Sequence, residues 1–94
     1  MTLDDMIDQC LALGEIYADA AEVRGRDMAW PQRPKDSRAV EDKCFSRFME
    51  ATDKLAAQGH QRTANMIRAE ALSNATSRAG RALVEALKAQ KDAA

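Results

Sequence analysis

From His60 to Lys91 the chain runs for thirty-two residues with no proline, one glycine and eight alanines. A stretch this long without a breaker reads as a single helix. Alanine has the highest helix propensity of the natural residues, and strands rarely exceed about ten residues. At 1.5 Å per residue such a helix reaches roughly 45 Å, longer than any other element the chain can form. Whatever precedes it must pack somewhere along that length.

The spacing along this helix separates three lines. Glu70, Asn74, Ser77, Arg81, Glu85, Lys88 and Asp92 recur in steps of three and four, which places them on one water-facing side. Opposite them run Ile67, Ala71, Ala75, Ala79, Ala82 and Ala86, flanked by Leu72, Leu83 and Leu87. Ala69, Ser73, Thr76 and Gly80 form a third line of small residues. Such a line predicts a groove into which a neighbouring helix can come close, so that two helices would pack on this one element.

The preceding residues supply two shorter helices. Thr2 with Asp5 is a capping-box pattern, and acidic residues in the first turn suit the helix dipole. Leu3, Met6, Ile7, Cys10, Leu13, Gly14, Tyr17, Ala20 and Ala21 follow at helical spacing, and Gly25 is a suitable stop after Arg24. The expected first helix is therefore about 2–24. Leu11, Ile16 and Val23 lie off its stripe and make a second apolar surface.

Pro31 and Pro34 then forbid a helix across 25–36, a linker long enough to span about 40 Å. That length leaves open whether the next helix runs parallel or antiparallel to the first. Asp36 or Ser37 caps a second helix over about 37–57, with Val40, Cys44, Phe45, Phe48, Met49, Thr52, Leu55 and Ala56 on its apolar line. Gly59 terminates it, and the turn at 58–60 folds it back as an antiparallel hairpin with the long helix at about 60–91.

The expected fold is all-α, a single domain at 1–94 forming a three-helix bundle built on the hairpin of helices 2 and 3. Helix 2, roughly 30 Å long, leaves about ten residues of helix 3 overhanging, including Leu83, Val84 and Leu87. Either helix 1 or a second subunit must cover them.

Composition sharpens that question. Hydrophobic residues make up 46% of the chain, but nineteen of them are alanine and only four residues are aromatic. A core so poor in large side chains is naturally supplemented by a second copy, so Gly80, Leu83, Val84 and Leu87 are the expected homodimer interface.

Charge is unevenly distributed although the net charge is only −1. Residues 1–22 carry six acids and no base, residues 23–40 five bases against two acids, and residues 60–94 six against three. The acidic helix can be satisfied by lying against the basic one, or the two can show opposite faces to partners.

Catalytic and metal chemistry find little to use. His60, the only histidine, lies beside a turn with no serine or cysteine partner at a recognisable spacing. Asp4–Asp5 and Glu41–Asp42 are adjacent pairs, whose side chains diverge by about 100° on a helix. No glycine-rich phosphate loop occurs. Cys10, Cys44 and His60 are too scattered for a zinc site. The expectation is a protein that is not an enzyme, with no catalytic, cofactor or metal residues and no cofactor.

The cysteines fit reduced thiols in a cytoplasmic protein, and no run is apolar enough to enter a membrane. The feature left for function is the linker. Met28 and Trp30 are large apolar groups among arginines, a composition favoured at protein interfaces. Trp30 can equally cap the bundle core. Met28, Trp30, Arg33, Lys35 and Arg38 are the expected partner-binding residues of a small adaptor or inhibitor, acting on another protein together with the flank of helix 3.

The alternative is a small regulator of a nucleic-acid-handling complex, using the arginines of the linker and helix 3. Bacterial and phage regulators are often of this size. The slightly negative net charge and the absence of a continuous basic stripe weigh against it.

Overall fold

In the computed structural model, which describes residues 1–32 and 35–93, three α-helices account for nearly all of the chain. They are α1 (Leu3–Asp27), α2 (Ser37–Ala57) and α3 (Gln61–Ala93). The architecture is an all-α three-helix bundle, 54 Å along its longest axis, a length set by α3.

Local chemistry fixes the start of α1 and the turn between α2 and α3, whereas Asp36, expected to cap α2, makes no side-chain capping bond. Thr2 accepts a hydrogen bond from the Asp5 amide at 3.1 Å, and the Asp5 carboxylate accepts one from the Thr2 amide at 3.2 Å, the reciprocal capping box. At the turn of the hairpin Gly59 has a φ of +94°, which a side chain would resist. Its amide donates to the Ala56 carbonyl at 3.0 Å, and the His60 amide donates to the Leu55 carbonyl at 3.3 Å. That pair of bonds is the Schellman pattern, and it turns α2 back into α3 as expected.

Gly25 behaves differently from the expectation. It does not stop α1, which continues through it to Asp27. It is buried against α3, where a Cβ would sit 2.8 Å from the Cα of Ala79 and closer still to its carbonyl oxygen. The glycine is there to permit backbone contact between helices. The linker shortens accordingly to residues 28–36.

Side-chain pairs give the directions of the helices. Gly14 meets Phe48 and Tyr17 meets Phe45, while Arg24 bonds to Glu41, so α2 runs antiparallel to α1. Gly14 meets Ala71, Asp19 meets Arg78 and Gly25 meets Ala79, so α1 and α3 run parallel. Helix α1 packs extensively on both neighbours, whereas α2 and α3 share a smaller surface beyond their connecting turn.

The core has two parts. Near the α2–α3 turn, Cys10, Phe48, Leu55, Ala64, Ile67 and Ala71 are buried, with Met6, Ile7, Leu13 and Met49 packed around them. Toward the other end the core narrows to Ala18, Ala21, Ala75 and Ala79, with Tyr17 alongside. Tyr17 joins the parts, its ring 5.2 Å from Phe45 and 6.3 Å from Phe48 between centroids.

The alanine half explains where the close helix approach falls. Gly14, Ala18, Ala21 and Gly25, in steps of four, three and four, face Ala71, Ala75 and Ala79. The small-residue line Ala69, Ser73, Thr76 and Gly80 was expected to receive a helix, yet all four residues are exposed. Helix α1 takes the alanine line instead because its own small residues match it.

Candidate functional site

The linker and the end of α3 meet at one end of the bundle. The Gln90 side-chain amide donates to the Ala29 carbonyl, Ala29 is buried, and the Trp30 amide donates to the Asp27 carbonyl at 3.0 Å. The start of the linker is thus held as a turn against the last turns of α3. Met28 is 53% exposed, with its sulfur 3.1 Å from an Arg24 guanidinium nitrogen, and Trp30 is half-buried. Lys35 and Arg38 are exposed. Arg33, the fifth expected partner-binding residue, lies outside the described residues.

The expected oligomer interface sits on the same third of α3. Leu83 is half-buried, Gly80 is exposed with open space around it, and Val84 and Leu87 are 50% and 47% exposed. Gly80, Arg81, Val84, Glu85 and Lys88 line a shallow groove on this part of the helix. The alanine line is therefore buried as far as Ala86, while the outer side of the overhang, at Val84 and Leu87, is left to solvent.

Electrostatics divide the basic residues into two groups. Arg78 lies among Asp19, Glu22 and Glu15, at 2.5, 3.3 and 3.4 Å, with only 18% of its side chain exposed. The hydrogen bond to Asp19 is the main cause holding its guanidinium above the ordinary arginine range. Arg68 pairs with Asp53 and donates to the Thr52 hydroxyl at 2.7 Å, and Arg24 pairs with Glu41 at 2.5 Å. Three of the six acids at 1–22, Glu15, Asp19 and Glu22, are thus met by Arg78 of α3, so the self-satisfied arrangement holds for that part of α1. Lys35, Arg38, Lys43, Arg47, Arg62, Arg81, Lys88 and Lys91 lie on the exposed surface, as do Arg26 and Lys54, each beside an acid one turn earlier in its helix.

Both cysteines are free thiols. Cys10 is buried, and that burial pushes its pKa up against a smaller opposing effect of Arg68. Such a thiol stays protonated and is a poor nucleophile. Burial and the nearby Glu41 likewise raise the Tyr17 hydroxyl. Among the described residues no group of three histidine, cysteine or acidic side chains is placed to hold a metal ion. No helix of the described residues is long and apolar enough to cross a membrane.

Sequence reasoning paired the loop with the neighbouring flank of helix 3 and assigned the overhang to helix 1 or a second subunit. It missed Gln90, whose amide ties the loop to α3, and Arg78, whose three acidic partners lie 56 to 63 residues away. The signal for Arg78 was present in Glu15, Asp19 and Glu22, an i, i+4, i+7 ridge on α1 that needed a counter-charge. No protein-family model matches this chain, and neither a curated protein nor a solved structure resembles it significantly.

Proposed function

We propose that this chain is a non-enzymatic protein-binding module, a small adaptor or inhibitor. Its contact surface is the Met28–Arg38 loop together with the neighbouring flank of α3. The observation that carries the reading is the Gln90 bond to the Ala29 carbonyl. It fastens the loop to the overhang, so exposed Met28 lies at the same end as exposed Val84 and Leu87. Exposed Met28 on the loop, with Lys35, Arg38 and Lys88 exposed on the loop and its flanking helices, has the composition of an interface with a partially acidic protein. Two free thiols fit residence in the reducing cytoplasm.

A nucleic-acid-associated regulator is the weaker reading. It draws on the exposed bases, but Arg24, Arg68 and Arg78 are already engaged by acids of the same chain.

The test is a paired change, Met28→Glu with Lys35→Glu. Both side chains are exposed, so the variant should keep its helical circular dichroism and melting temperature. A partner that binds the parent chain in a purified two-component assay should bind the variant at least about a hundredfold more weakly. Undiminished binding by a folded variant would remove the loop from the interface.

A further inference from the structure

The outer face of α3 carries a pattern that nothing in the chain uses. Ala69, Ser73, Thr76, Gly80, Leu83 and Leu87 recur in steps of four, three, four, three and four, a seven-residue repeat. All are exposed except half-buried Leu83, and the face drifts around the helix as a left-handed supercoil seam does. Its two halves differ in size. Residues 69–80 of the seam are small, whereas Leu83 and Leu87, with Val84 beside them, are large.

We propose that this face pairs with the same face of a second copy, with the two α3 helices antiparallel about a two-fold axis near residues 81 and 82. Side-chain size selects the direction. Parallel pairing in register sets small against small, leaving a gap, and large against large. Antiparallel pairing brings Leu83 over the partner's Gly80 and Leu87 over the partner's Thr76, and the symmetry repeats each contact. Val84 faces the partner's Ser77.

Charge selects the same register. Glu70 and Lys91 occupy equivalent flanking positions of the repeat, both exposed, and antiparallel pairing sets each against the other across the dimer, twice. The second copy covers the overhang's outer side while α1 keeps its inner side. The pairing covers Val84 and Leu87, so the surface it leaves for a different partner is the loop with exposed Lys88 on the flank of α3. The two readings fail in different assays, mass in one case and partner capture in the other.

The test begins with the mass of the full chain in solution at about 0.1 mM. Light scattering should give twice the chain mass of 10.3 kDa. Gly80→Leu places its side chain in open space within the monomer, so helicity and melting at low concentration should not fall. The dimer dissociation constant should nonetheless rise at least about tenfold. Glu70→Lys should weaken the dimer, and adding Lys91→Glu to it should restore parental affinity, as only the antiparallel register requires. A mass of 10.3 kDa at that concentration overturns the proposal, as does a dimer indifferent to Gly80→Leu. A charge exchange that fails to restore affinity overturns the antiparallel register.

Discussion

Two glycines with similar sequence surroundings have opposite jobs, and only packing distinguishes them. Gly25 has the Ala79 backbone where its side chain would go, whereas Gly80 has nothing within 4 Å. Gly25→Ala should therefore force α1 from α3 and cost about 3 kcal/mol, at the upper end of overpacking penalties. Gly80→Ala should gain about 1 kcal/mol from helix propensity when the chain is dilute. Urea unfolding of both variants checks the contrast, and equal effects would contradict it. Gly25 misleads in the sequence because a glycine after a periodic run normally ends a helix. Gly59 sits in the same context and does end one, since its positive φ and the two Schellman bonds are local. The job of Gly25 depends on a residue fifty-four positions later, which no local pattern encodes.

At the scale of elements, the turn into α3 was legible because its determinants lie within a few residues; α2 starts at Ser37 as expected, although Asp36 makes no side-chain capping bond. The polar and alanine lines of α3 were legible too, since periodicity reports burial directly. The choice between the two small-residue lines of α3 was not. It depends on a match with Gly14, Ala18, Ala21 and Gly25 of α1, and Ala18, fully buried, had not been placed on the apolar stripe. The loop of the candidate site was legible by composition, but its attachment to α3 through Gln90 was not.

The α1–α3 contact is also held electrostatically. Arg78→Met keeps the apolar stem and leaves Glu15, Asp19 and Glu22 without their shared cation. The expected loss is about 1 kcal/mol, because those acids are largely exposed, and it should shrink in about 1 M salt. Thermal unfolding at two salt concentrations measures it. A loss that does not change with salt would assign Arg78 to packing instead.

For the whole molecule, the placement of α1 decides everything else. Laid parallel to α3 with its small residues inward, it closes the alanine half of the core and gives Glu15, Asp19 and Glu22 their counter-charge in Arg78. It also leaves the outer seam of α3 open to a partner. A core built largely of alanine buries little per residue, so backbone proximity and not side-chain bulk holds this half together. The most direct measurement is a nuclear Overhauser spectrum of the full chain. It should contain a strong cross-peak between the α-protons of Gly25 and Ala79. A Gly25 whose cross-peaks all lie within α1 would contradict the parallel packing of α1 on α3, and with it the architecture described.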